Sequence, residues 1–90
     1  MRRNYSNRHR LPRDLGGKLR EARNECGWTI HEAARRAGIS SGMLSYLEHG
    51  LRAPGTVVAE RLMEVYGLWD RVAEALLEAA IPDRGKAWRP

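Results

Sequence analysis

The sequence has no phenylalanine and only one cysteine in 90 residues, and no apolar run in it approaches a membrane span, which needs roughly 18 residues. Each absence closes off a class. Cys26 alone makes no internal disulfide, and nothing near it has metal-ligand spacing. At the C-terminal end of a helix it also lacks the positive environment that activates a thiolate. His9, His31 and His49 are too scattered to converge on a metal. No nucleophile–base pair or carboxylate pair stands out, so neither enzyme chemistry nor a cofactor is expected. The apolar content is mostly Leu, Ala and Val, which suits a helical bundle better than an aromatic-rich sandwich. A chain of this length builds one domain around a modest core. Its basic N-terminus lacks the apolar stretch of a secretory signal, so a cytoplasmic protein is expected.

What the sequence does have is charge, unevenly spread. Of the formal +5, residues 1–14 carry +4 (five Arg against Asp14) and residues 15–52 carry +2. Residues 53–80 carry −3, and residues 81–90 return to +2. Such a field fits a polyanion docked on one side, with the acidic half turned away. Basic tails that merely aid solubility give the same totals.

Apolar spacing and punctuation predict five helices. Residues 1–13 have no apolar periodicity and contain Pro12, which reads as a disordered basic arm. Asp14 is placed to cap a first helix over about 15–26, with Leu15, Leu19, Ala22 and Cys26 on its apolar face and Gly27 as its stop. Thr29, with Glu32 three residues later, has the form of a capping box for a second helix over 29–37, whose small face is Ala33, Ala34 and Ala37. Ser40 caps a third over 41–49, with Met43, Leu44 and Leu47 apolar and Gly50 as the stop. Pro54-Gly55-Thr56 opens a fourth over 56–66, with Val58, Leu62 and Val65 facing inward. The fifth, over 69–80, carries a stripe of Trp69, Val72, Ala73, Leu76, Leu77 and Ala80 and is ended by Pro82. Residues 82–90 form an unpatterned tail, whose Trp88 is either disordered or an anchor against a partner subunit. The domain therefore spans 14–81, all-α and compact.

The second and third helices flank Gly38-Ile39-Ser40. Gly38 permits the positive φ of a tight turn, Ala34 is small where the helices cross, and Ile39 plugs the junction. Two helices joined by so short a turn cross steeply, and the second projects from the surface. A helix about 10–12 Å wide fits a major groove about 12 Å across.

The stretch TIHEAARRAGISSGMLSYLEHGLRAP resembles the XRE-type helix-turn-helix of Cro and the lambdoid phage repressors. That family reads Thr/Asn-Gln-x-x-Leu-Ala, Gly-hydrophobic-Ser, a recognition helix ending hydrophobic-x-x-hydrophobic-Glu-x-Gly, then a basic loop and Pro. Thr29, Ala34, Gly38, Ile39, Ser40, Leu44, Leu47, Glu48, Gly50, Arg52 and Pro54 fall on those positions. The likeness covers about residues 15–67, because the first helix and the fourth also fall where the family has them.

The resemblance implies a five-helix bundle of the lambda-repressor kind that binds double-stranded DNA. Arg23 and Glu48 match a pair that forms a buried salt bridge, a structural role. Ser41, Gly42, Ser45 and Tyr46 match the positions that meet base edges, and Ser41, Ser45 and Tyr46 lie opposite Leu44 and Leu47 on the helix. Arg52 matches a loop contact to backbone phosphate, with His49 nearby. The amides of Gly55 and Thr56, opening a helix, are candidates for another phosphate. Ile30 departs from the family's phosphate-binding Gln, so that contact is either lost or taken over by Thr29 or His31. Arg35 and Arg36 read either as a solvated face or as phosphate contacts. Gly42 and the short serines imply modest base readout, which gives weight to Arg2, Arg3, Arg8 and Arg10 of the arm as ligands of a narrow minor groove.

The function expected is a transcriptional regulator, most simply a repressor occupying an operator in the nucleoid. Trp28 and Trp69 are expected in the core. The apolar stripe of the fifth helix exceeds what four short helices need for closure. Part of it, through Trp69, Val72, Leu76 and Leu77, is expected to form a homodimer that reads an inverted repeat. The alternatives are an antitoxin that also binds a toxin, and an adaptor that docks on a protein partner without reading DNA.

Overall fold

The computed structural model describes residues 10–82; the expected arm arginines Arg2, Arg3 and Arg8, and Trp88 in the tail, lie outside them. Five helices follow in order: α1 Arg13–Glu25, α2 Ile30–Ala37, α3 Ser41–Glu48, α4 Thr56–Tyr66 and α5 Arg71–Ala79. They pack in a closed ring, in which α1 touches α3 and α5, α2 touches α3 and α4, and α4 touches α5. No strand occurs among the described residues; an isolated parallel bridge joins Gly55 to Ile81. None of their helices is long and apolar enough to cross a membrane.

The core is built from leucine and alanine. Leu19, Leu44, Leu47, Leu62 and Leu76 are fully buried, one or more from every helix except α2, which contributes Ala33, Ala34 and Ala37. Alanines on α2 let its neighbours approach closely. Burying a leucine stabilises by roughly 1.5–3 kcal/mol, so this set dominates the stability of the fold.

Local signals explain most boundaries. The Thr29 and Ser40 hydroxyls accept the Glu32 and Met43 amides at 3.1 and 3.0 Å, each satisfying an orphan donor of the first turn. The capping box at Thr29 is only half formed, because the Glu32 carboxylate turns to Arg35 and Arg36 instead. Gly38 ends α2 at φ 72°, a left-handed conformation that costs other residues dearly. Beside it, Nη1 of Arg61 donates to the Ala37 carbonyl at 3.5 Å, placing a cation where the helix dipole is negative.

Several expectations give way to tertiary packing. Asp14 does not cap α1, which starts at Arg13 after Pro12 without a side-chain cap. The basic arm does not extend to residue 13, because Leu11 is buried in the core at 3% exposure. Cys26, read as part of the apolar face of α1, is exposed. The last helix begins at Arg71, capped by the Asp70 side chain on the Val72 amide at 3.1 Å. Trp69 therefore precedes it, and stands 76% exposed instead of entering the core or the stripe. Leu76 is fully buried in the core of this chain, and Val72 is half-buried against the same core. Of the four residues expected at a dimer interface, Trp69 and Leu77 remain exposed, the latter at 40%.

Candidate nucleic-acid interface

Helix α3 divides cleanly into two faces. Inward lie Leu44 and Leu47, with no exposed surface, and Glu48 at 5%. The Glu48 carboxylate meets the Arg23 guanidinium in a bidentate pair, Nε to Oε2 at 2.7 Å and Nη2 to Oε1 at 3.0 Å. Nη1 of Arg23 donates to the Trp28 carbonyl at 3.1 Å. The hydrogen bonds that Arg23 donates to Glu48 raise its pKa, so the cation is held firmly charged. An acid as the last residue of a helix is disfavoured by the dipole; here Arg23 offsets that and joins α3 to α1.

The same seam contains a residue that sequence reasoning passed over. A Cβ on Gly16 would stand 2.6 Å from the Glu48 carbonyl oxygen and 2.7 Å from that of Leu47. Both atoms are backbone and cannot move aside cheaply, so α1 and α3 touch through the missing side chain. A pair of glycines inside a helical pattern was the only signal available, and Gly17, next to it, has open space around it. The hydroxyl of Tyr66 lies near the seam, buried and without a hydrogen-bond partner among the described residues. Burial, with help from the Glu48 charge, pushes its pKa up to about 12. The Tyr66 ring stands 6.1 Å from that of Trp28.

Outward, α3 presents the side chain of Tyr46, 47% exposed, and the bare backbone of Gly42, while Ser41 and Ser45 are half-buried. The helix stops at Glu48, one residue earlier than its spacing predicts. His49 follows as an exposed C-cap whose Nδ1 lies 2.8 Å from the Ser45 carbonyl, an acceptor, which assigns the ring hydrogen to Nδ1. The chain then turns back at Gly50, and the Leu51 amide donates to the Tyr46 carbonyl at 2.8 Å. This brings the exposed Arg52 guanidinium to 5.4 Å from the centre of the Tyr46 ring.

The other expected contacts separate into available and committed groups. Arg10 is exposed, and the neighbouring Leu11 amide donates to the Arg52 carbonyl at 3.3 Å, so the chain enters the fold beside the loop after α3. His31 is exposed at the start of α2. Thr29 is exposed, but its hydroxyl is already used as the α2 cap. Arg35 and Arg36 share the Glu32 carboxylate at 2.6 and 2.7 Å. Arg36 also covers the Trp28 ring at 4.4 Å. The bond from Arg35 holds the Glu32 carboxyl below its ordinary range, so the cluster keeps one net positive charge. The amide of Thr56 donates to the Ile81 carbonyl at 3.1 Å, and that bond removes it from the expected phosphate site with Gly55.

Residues 14–77 match the family described as helix-turn-helix domain. An uncharacterised HTH-type transcriptional regulator of Mycobacterium bovis is 34% identical over 68 residues, and one of Mycobacterium tuberculosis matches equally. The aligned region is 76% of this chain but only 27% of the length of those relatives. No solved structure gives a significant match.

Proposed function

The chain belongs to the XRE-like helix-turn-helix family, and we propose that it is a sequence-specific regulator of transcription that binds double-stranded DNA, most simply as a repressor occupying its operator. The observation that carries this reading is the division of α3. Its inner face is fixed by buried leucines and the Arg23–Glu48 pair, while Gly42 and Tyr46 face outward and Arg52 lies against the Tyr46 ring. A rigid helix with an exposed, amphipathic outer face suits insertion in a major groove, where it reads base edges. Ser41, Gly42, Ser45 and Tyr46 are the base-reading set. Arg52, His49, His31 and Arg35 hold phosphates around it, and Arg2, Arg3, Arg8 and Arg10 extend the contact along the duplex. The site of action is the cytoplasm, on the nucleoid.

A homodimer on an inverted repeat completes the proposal. Trp69 and Leu77, exposed on the acidic half, are its most accessible candidate contacts, with Val72 half-buried among them. Two recognition helices would then meet half-sites about 34–36 Å apart, one helical turn. Sedimentation of the wild type and of Trp69→Asp, with footprinting, checks both statements. A wild type that stays monomeric at high concentration and protects a single half-site overturns the dimer.

The decisive test of the function is titration against genomic DNA fragments at several salt concentrations. Affinity should drop about 10³–10⁵-fold between roughly 50 and 200 mM salt, as expected for release of counterions from many phosphates. A flat response with no preferred fragment would favour a protein-docking domain instead.

A further inference from the structure

Arg52 occupies an unusual position for a surface arginine. Its backbone is fixed on both sides: its carbonyl receives the Leu11 amide, and the two residues after it, Ala53 and Pro54, are buried. The turn that delivers it is closed by the bond from Leu51 to the Tyr46 carbonyl at 2.8 Å. Its exposed side chain nevertheless lies against a ring, with the guanidinium carbon 5.4 Å from the Tyr46 centroid. That is within the range of a cation–π contact, where a planar guanidinium also stacks.

Resting on the DNA-binding reading above, we propose that Arg52 is a positioning residue for sequence choice: by stacking on Tyr46 it fixes the rotamer in which that ring meets a base. The contact restricts a half-exposed side chain that no hydrogen bond restrains among the described residues. A tyrosine free to swing would meet several bases almost equally well, and discrimination would fall. An arginine that only touched phosphate would strengthen preferred and random DNA alike, since phosphates carry no sequence information. The stack gives Arg52 a second effect, visible only in the ratio of the two affinities.

Arg52→Lys separates the roles, because lysine keeps the charge but loses the planar fork. The experiment measures the ratio of affinities for the preferred fragment and for random DNA in wild type, Arg52→Lys, Tyr46→Leu and the double variant. NMR of each free protein reads the ring-current shift of the Arg52 side-chain protons. Arg52→Lys should lower the ratio by up to about fivefold, because an ammonium keeps its charge near the ring but cannot lie flat on it as a guanidinium does. In the Tyr46→Leu background the same change should lower it no further, and the ring-current shift should be lost in Tyr46→Leu. A ratio untouched by Arg52→Lys, or reduced equally in both backgrounds, overturns the positioning role and leaves the DNA reading standing. A wild type that prefers no fragment overturns both.

Discussion

The two faces of α3 are eight residues of one helix put to opposite uses. On the inner face every group is committed. Leu44 and Leu47 are fully buried, the Glu48 carboxylate is bonded at both oxygens, and the Glu48 and Leu47 carbonyls lie against Gly16. On the outer face Tyr46 and Arg52 touch each other and solvent, and Gly42 offers only backbone. Changes on the inner face should therefore act on stability, and those on the outer face on binding. The helix is short, and alone it would be marginal in water. Its rigidity comes from α1 and α2, which both pack against it, so the binding face depends on neighbours it does not contain.

The largest effect expected is at the ion pair. Glu48→Ala leaves the Arg23 guanidinium largely buried without its carboxylate and should cost about 3–5 kcal/mol, read by chemical denaturation. A loss under about 1 kcal/mol would mean that water replaces the carboxylate and that the seam is looser than its geometry implies.

Next come changes that separate the faces. Gly16→Ala inserts a methyl between two helices in backbone contact and should cost about 1–3 kcal/mol, despite alanine's higher helix propensity. On the outer face, Tyr46→Ala should weaken operator binding about 1–3 kcal/mol more than random binding, with the melting transition unmoved. If Tyr46→Ala destabilises the fold, the division between faces is wrong.

Smaller effects sharpen the contrast. Gly17→Ala should stabilise by up to about 1 kcal/mol, since the site is open and alanine is the better helix former. Opposite signs at adjacent glycines would isolate the seam contact from propensity. Tyr66→Phe removes a buried hydroxyl that has no partner among the described residues, and should be neutral or stabilising by about 1 kcal/mol. With its folded pKa raised to about 12, Tyr66 binds its proton more tightly in the folded state. Its contribution is thus intact below the ordinary tyrosine value of about 10 and lost as pH rises from there through the folded value. Stability at high pH, followed with phenolate absorbance, should fall less steeply in Tyr66→Phe.

What the sequence by itself determined was local. The caps at Thr29 and Ser40, the left-handed Gly38 and the alanine face of α2 follow from side chains acting within a turn or two. The Arg23–Glu48 pair and the outward Tyr46 were legible through the family resemblance and the helical period. What the tertiary structure alone decided was how each exposed or apolar group is used. Leu11 sits in a stretch without periodicity, yet is buried, because a single anchoring residue makes no pattern. Leu76 and Trp69 lie on one predicted stripe, but Asp70 caps the helix after Trp69, which leaves the tryptophan in solvent while the leucine closes the core. The Thr56 amide is spent on Ile81, and Arg52 lies over Tyr46 because the chain turns back at Gly50. Helical spacing tells which side chains share a face; it carries no information about which distant group arrives to cover that face, and that is set by packing between helices far apart in the chain.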